Sequence, residues 1–266
     1  MTDTPASMTY GEYLALGDLL SAQHPLSSHH DEMLFVIIHQ TKELWLKQAI
    51  HELHLARDLI RADALVPVHK SLSRVSRIQA VMTLSWDVLA TMTPADYSSF
   101  REVLGSSSGF QSAQFRQFEY LIGLKDGGHL RFQEEGTAPY KALMGALHQP
   151  SLWDEANAAL AREGFALPAA ALERDWSRPY EPLDEVGEAW AEVYRDTNRW
   201  WPLYQLAEKL VDIDDALATW RHKHVVTVER IIGLKRGTGG TAGVAYLQST
   251  LGRRAFPELW SLRTKL

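Results

Sequence analysis

The sequence contains no cysteine. Disulfides, thiolate catalysis, zinc–cysteine centres and iron–sulfur clusters are therefore excluded together. The longest purely apolar run, Met33 to Ile38, is far shorter than the ~20 residues that a membrane-spanning helix needs. The first residues also lack the basic and apolar stretches of a secretory signal peptide. These absences predict a cytoplasmic protein that does not act at a membrane.

Glycine and proline are not abundant, with 17 and 11 among 266 residues. This excludes a collagen-like, low-complexity or wholly disordered chain. The net charge of -6 argues against a nucleic-acid partner. Hydrophobic residues make up 45% of the chain, and nine of them are tryptophans, which often line cores and pockets. A large core is therefore expected.

Apolar residues recur at helical spacing almost everywhere, and no run alternates as a strand would. The pattern predicts helices over 10–21, 32–62, 68–91, 111–124, 140–147, 151–162, 184–210, 211–234 and 244–251. A further helix is predicted to begin at Thr93-Pro94 and to end at Gly105. Segment 125–138 is predicted to be a surface connection. With no repeat and no linker, residues 1–266 are predicted to form an all-α, single-domain helical bundle.

His224 shares a predicted helical face with Leu217, Trp220, Val228 and Ile231. A histidine on an apolar face either forms an ordinary hydrogen bond or binds a metal. Haem iron suits a single histidine in a helical chain without cysteine. Position alone favours the ordinary hydrogen bond and leaves the haem alternative open.

Arg101 follows Tyr97 by four residues and precedes Leu104 by three, with Phe100 adjacent. Its guanidinium either extends to solvent along an apolar surface or points into a pocket and binds a carboxylate. Among apolar neighbours an unpaired charge is costly, so the second alternative requires an anionic ligand. Position alone favours a guanidinium that extends to solvent.

Two other patterns give weaker indications of function. The helix around His39 does not match His-Glu-x-x-His or a repeated Glu-x-x-His motif, so we predict no metal site made of several side chains there. The glycine-rich loop at Gly237 follows a helix, which argues against a nucleotide-binding loop. A mobile lid or a plain connection is the better interpretation.

Seven segments can be considered together in chain order. They are Thr9-Tyr-Gly-Glu-Tyr-Leu14, His30-Asp-Glu-Met-Leu-Phe35, His39-Gln-Thr-Lys-Glu-Leu-Trp45, Tyr97-Ser-Ser-Phe-Arg101, Gly105-Ser-Ser-Ser-Gly-Phe-Gln111, Trp220-Arg-His-Lys-His224 and Lys235-Arg-Gly-Thr-Gly-Gly240. In this order and spacing they resemble the haem-dependent tryptophan 2,3-dioxygenases in their compact bacterial form. With Phe256-Pro-Glu-Leu, the likeness extends from about Thr9 to Thr264 and outweighs the interpretations that position alone favours.

The resemblance implies a helical bundle that encloses ferrous haem b and assembles as a homotetramer. The implied reaction is cleavage of the indole 2,3 bond of L-tryptophan by O2, which gives N-formyl-L-kynurenine and begins the kynurenine pathway of tryptophan degradation. Two alternatives stay open: a relative that prefers another indole, and a haem-bound gas sensor or carrier without turnover. Arg101, Thr238 and His39 distinguish them, because a sensor needs no amino-acid clamp.

The resemblance also implies roles around the cofactor. His224 is similar to the axial ligand of the haem iron, and Trp86 to a tryptophan that packs on the haem. Ser108 and Gly109 resemble the loop over the haem edge and are expected to contact substrate.

On the substrate side, His39 resembles the distal histidine that faces the indole N–H and is the candidate catalytic residue. Phe35 and Leu104 are expected to be walls of the indole pocket. Arg101 resembles the arginine that binds the substrate carboxylate, and Tyr97 supports that region.

Thr238 resembles the residue that contacts the substrate ammonium. Tyr10, Tyr13 and Leu14 lie in an N-terminal segment, 1–21, that is expected to reach the site of a neighbouring subunit. Thr241-Ala242 stands where a pair of serines is common in the family, which leaves the local loop conformation open.

Overall fold

The computed structural model describes residues 8–240 and 242–266, so Thr241 and the first seven residues of segment 1–21 lie outside the described residues. The α-helices are α1 Tyr10–Tyr13, α2 Leu16–Leu20, α3 His30–Arg61, α4 Leu65–Leu89, α5 Pro94–Phe100, α6 Ala113–Ile122, α7 Ala138–His148, α8 Leu152–Arg162, α9 Ala169–Leu172, α10 Asp184–Arg195, α11 Trp201–Ile232, α12 Val244–Ser249 and α13 Pro257–Ser261. Short 3-10 helices cover Arg101–Leu104, Gly109–Gln111, Gly127–Phe132 and Leu262–Thr264. No strand occurs in the two described ranges, and the predicted all-α fold is confirmed.

Three long helices form the centre of the molecule. Helix α4 packs along both α3 and α11, while α6 and α8 pack against α3. Leu53 of α3, Leu72 of α4 and Leu210 of α11 are completely buried in this core. Burying one such side chain stabilises the fold by roughly 1.5–3 kcal/mol relative to leaving it exposed. These helices therefore form a firm scaffold for side chains that project between them. In the described ranges, no helix has the length and apolarity needed to cross a bilayer.

The helix that begins near Thr93 has the predicted start, but it ends at Phe100 and not at the predicted Gly105. The Thr93 side chain accepts a hydrogen bond from Asp96 N, and the Asp96 carboxylate accepts one from Thr93 N at 2.8 Å. Pro94 occupies the first turn, where no backbone N–H is needed. The chain then tightens into the Arg101–Leu104 turn and stops at Gly105, whose φ of +54° favours glycine.

Two predicted boundaries are wrong. Segment 10–21 is not one helix, because Ala15 has a φ of 48° and separates α1 from α2. The predicted division at 210/211 does not exist either, since α11 runs unbroken from Trp201 to Ile232. The break lies instead at 196–200, just before Pro202 in the first turn of α11. Pro202 could have predicted this boundary from the sequence, because proline starts helices more readily than it continues them.

Segment 125–138 is not purely a surface connection. It contains the 3-10 helix Gly127–Phe132, and both Lys125 and His129 are buried. The Lys125 ammonium donates to the Leu147 carbonyl at 2.8 Å, near the end of α7. The polar and glycine-rich composition predicted exposure, but the lysine is buried because it satisfies carbonyl groups at a helix end.

Candidate active site

A cavity opens between α3, α4, α6 and α11, and segments 108–112, 237–238 and 243–253 contribute to its walls. Many of its walls are apolar or aromatic, which suits a flat organic group. The cavity brings together eight of the predicted site residues: Phe35, His39, Trp86, Tyr97, Ser108, Gly109, His224 and Thr238. Arg101 and Leu104 are not among its lining residues, although Arg101 lines a neighbouring recess with Thr238.

His224 projects from α11 between two tryptophans. The ring of Trp86 lies nearly parallel to it, with centroids 4.4 Å apart and planes at 11°, and Trp220 lies at 5.1 Å. Burial, with a smaller contribution from Lys42, lowers the pKa of His224 to about 3, so its imidazole is neutral at pH 7. Among the described residues its ring has no hydrogen-bond partner, so the ordinary hydrogen bond is not formed. A neutral, unpartnered imidazole beside aromatic walls fits a ligand of haem iron.

His39 is held in one tautomer by its own helix. Its Nδ1 lies 2.7 Å from the carbonyl oxygen of Phe35, one turn earlier in α3. A carbonyl can only accept, so Nδ1 carries the hydrogen and Nε2 is left as an acceptor. Burial lowers the pKa of His39 to about 4, although the bond to Phe35 opposes this. At pH 7 His39 therefore contributes a neutral acceptor nitrogen to the site.

Aromatic rings form the wall next to His39. Phe35 contacts the His39 ring at 4.2 Å between centroids and lies 6.0 Å from Tyr97. Phe100 is buried behind them, 5.7 Å from Phe35. Leu104 is half-buried and packs against the core. Burial raises the pKa of the Tyr97 hydroxyl, so this group stays protonated.

Arg101 has a different environment from the one that its apolar neighbours in sequence indicate. It is partly exposed, and its Nη2 donates to the carbonyl oxygen of Arg236 at 2.6 Å. The guanidinium is therefore not an unpaired charge among apolar groups, and that premise of the sequence interpretation is wrong. The recess around it is lined by Ser98, Arg101, Glu102, Gly105 and Thr238.

The segment that carries Thr238 packs closely on the segment that carries Ser108. The Thr238 hydroxyl donates to the Ser107 carbonyl at 2.5 Å. A Cβ on Gly239 would lie 2.7 Å from Ser108 Cβ and 2.9 Å from its Oγ. Only glycine at position 239 permits this approach without a shift of one segment. Gly109, by contrast, has open space beside it.

Several charged residues in the cavity wall were not predicted. Glu119 is buried between two guanidinium groups, with Arg116 at 2.6 Å and Arg221 at 2.7 Å. Lys42 is also buried, with its Nζ 2.9 Å from the centroid of Trp86. Lys42 could have been predicted as a cavity residue, because it lies three residues after His39 on the same side of α3. Within the described chain, no three His, Asp or Glu side chains converge to hold a metal ion.

The predicted N-terminal site residues, Tyr10, Tyr13 and Leu14, do not line the cavity of their own chain. Tyr10 and Tyr13 are 76% and 75% exposed, and Leu14 is also exposed. Large apolar side chains at this exposure are typical of a surface that another chain covers. Their docking at a neighbouring subunit stays a prediction.

The sequence was compared with known proteins. It matches a family model described as tryptophan 2,3-dioxygenase over residues 2–163 and 186–266. A tryptophan 2,3-dioxygenase of Caulobacter vibrioides is 66% identical over 259 residues, which cover 97% of this chain and 98% of the relative. Those of Ralstonia pickettii and Bacillus cereus are 54% and 53% identical, covering 99% and 100% of this chain and 95% of each relative. The chain belongs to the tryptophan 2,3-dioxygenase family.

Proposed function

We propose that this chain is a haem-dependent dioxygenase that cleaves the indole 2,3 bond of L-tryptophan with O2. The product is N-formyl-L-kynurenine, and the reaction is the first step of the kynurenine pathway. The observation that carries the proposal is the pairing of two neutral histidines in one cavity, His224 without a hydrogen bond and His39 with a free acceptor nitrogen. One cavity thus offers an iron ligand and an acceptor for an indole N–H.

The cofactor is proposed to be haem b in the ferrous state, with His224 as the axial ligand and Trp86 packed beside that ligand. Bound haem would supply the activation of O2, and His224 would hold its iron. The aromatic walls exclude water from the reacting groups. Ser108 and Gly109 would cover the edge of the cofactor.

The chain's own residues orient the substrate. His39 Nε2 accepts the indole N–H and holds the ring in place, while Phe35 and Leu104 bound the indole pocket. Arg101 binds the carboxylate, with Tyr97 supporting it. A guanidinium has five N–H donors, so the bond to Arg236 leaves donors for a carboxylate.

Thr238 is proposed to receive the substrate ammonium. Its hydroxyl hydrogen is directed at the Ser107 carbonyl, so the lone pairs of its oxygen are left to accept from an ammonium group. Carboxylate and ammonium contacts at two fixed points orient one amino-acid enantiomer against the cofactor.

The proposed assembly is a homotetramer of single domains that span 1–266. Tyr10, Tyr13 and Leu14 of segment 1–21 would complete the site of a neighbouring subunit. A cytoplasmic location stays a prediction from the sequence.

The test is reconstitution of the purified protein with haem without oxygen, followed by L-tryptophan and air. We expect the absorbance of N-formylkynurenine to appear. The His224→Ala variant should lose stable haem binding or the spectrum of a histidine-ligated ferrous haem, and an unchanged spectrum would contradict the axial role. Haem binding by the parent protein without turnover of L-tryptophan would favour the gas sensor instead.

A further inference from the structure

Lys42 is a buried lysine in the cavity wall, and none of the roles above uses it. Only 6% of its surface is exposed, and its Nζ has no hydrogen-bond partner among the described residues. An unpaired ammonium group in the interior is strongly unfavourable. Some feature of its surroundings must therefore favour a lysine at this position.

The neighbours of Lys42 indicate one. Its Nζ lies 2.9 Å from the centroid of the Trp86 ring, and Trp86 in turn lies nearly parallel to His224 at 4.4 Å. The face of an indole attracts cations more strongly than other aromatic side chains do. Lys42, Trp86 and His224 thus form a continuous series of contacts, the Lys42–Trp86–His224 stack. After burial, Lys42 is also the group that most lowers the pKa of His224.

We propose that Lys42 is a positioning residue for the axial histidine and acts through Trp86. Its ammonium holds the Trp86 ring against His224 and places a positive charge close to the iron ligand. The inference rests on the proposed role of His224. A positive charge nearby opposes the additional charge of ferric iron, so it favours the ferrous form.

The charge on Lys42 depends on what fills the cavity. Burial alone lowers the pKa of Lys42 to about 6. A bound haem b brings two carboxylates into the same cavity, and negative charges nearby favour the ammonium form. We therefore expect Lys42 to be charged when the cofactor is bound.

The test compares the parent protein with Lys42→Met, Lys42→Arg and Lys47→Met, all loaded with haem. The midpoint potential of the iron is measured at pH 7 by titration of the haem absorbance. For Lys42→Met we expect the ferrous-to-ferric ratio at a given potential to fall about tenfold, which is 59 mV for a one-electron couple. Lys42→Arg should stay near the parent value, because a guanidinium keeps the charge and stacks on indole. Lys47, exposed on the same helix, is the matched control.

The outcomes separate this inference from the proposed function. If the parent protein binds no haem, the proposed function is wrong; if it binds haem and Lys42→Met has the parent potential, the role of Lys42 is wrong. Lys42→Met removes a buried amine that has no hydrogen-bond partner among the described residues, so we expect it to fold, and Lys42→Gln is a second neutral variant. Haem dimethyl ester, which lacks free carboxylates, provides a last comparison at pH 5, where Lys42 is charged without them because its pKa of about 6 lies above that pH. If the difference between parent and Lys42→Met disappears with this ester, Lys42 acts on a haem carboxylate and not through Trp86, which overturns the inference.

Discussion

At the scale of single residues, the chemistry of the site depends on which nitrogen of His39 carries a proton. The Phe35 carbonyl binds the Nδ1 hydrogen, so Nε2 faces the substrate as an acceptor. A pKa of about 4 makes His39 a weaker base than an ordinary imidazole. Complete removal of a proton from an indole N–H, which is a very weak acid, would be steeply unfavourable for such a base. We infer that His39 mainly orients the ring.

This role predicts a moderate effect of His39→Ala. We expect turnover of L-tryptophan to fall by less than about 10²-fold, whereas loss of an obligate base costs about 10²- to 10⁴-fold. The variant should also turn over some 1-methyltryptophan, since the removed ring leaves room for the methyl group. Product formation is measured with haem content and tryptophan binding as controls. Complete inactivity with both controls intact would restore His39 as an obligate base.

A second prediction at this scale concerns Arg101. Arg101→Ala should raise the KM for L-tryptophan by about 10- to 100-fold, the usual effect of losing a charge-assisted hydrogen bond. Haem binding should be unaffected, because Arg101 does not line the main cavity. Arg101→Lys is the control, since it keeps the charge but loses the planar fork. If the parent protein turned over tryptamine, which lacks the carboxylate, as well as tryptophan, Arg101 would not be the clamp.

At the scale of elements, the approach of the Thr238 segment to the Ser108 segment predicts a role for Gly239. Gly239→Ala would place a Cβ 2.7 Å from Ser108 Cβ, so one segment must move. Because Thr238 moves with its neighbour, we expect the KM for L-tryptophan to rise several-fold while haem affinity is unchanged. Steady-state kinetics and haem titration measure the two effects.

Two variants control this prediction. Ser108→Gly removes both atoms that the new Cβ would meet, so Gly239→Ala should have little further effect in that background. Gly145→Ala, in α7 with nothing within 4 Å of the new Cβ, should leave kinetics unchanged. An equal effect of Gly239→Ala with and without the Ser108 side chain would show that the contact is unimportant.

At the scale of the whole molecule, the exposed apolar N-terminus predicts that the chain acts as an assembly. Tyr10, Tyr13 and Leu20 are each more than 70% exposed, although termini without a docking site usually fray. Removal of residues 1–20 should reduce both the oligomer size in sedimentation and the turnover of L-tryptophan. A deletion variant that is monomeric and fully active would exclude this docking.

The sequence by itself determined the features that act over a few residues. Thr93 and Pro94 predicted the start of one helix, and Gly105 marked the end of the 3-10 turn that follows it, because caps, proline and glycine constrain the backbone locally. The helical period of the apolar residues predicted the all-α fold, and the ordered motifs identified the family. The same local rules fail where a signal is overlooked, as with Pro202 at the start of α11.

Only the tertiary structure decided the contacts between distant residues. Arg101 meets the carbonyl of Arg236, 135 positions away, and Thr238 meets the carbonyl of Ser107, 131 positions away. The burial of Lys42 on Trp86 likewise depends on how α3 packs against α4. A side chain's partner is set by which helices pack together, and helical periodicity specifies the buried face but not its neighbour. Helix packing therefore determined the environment of each site residue, whereas the sequence motifs indicated which residues to expect in the site.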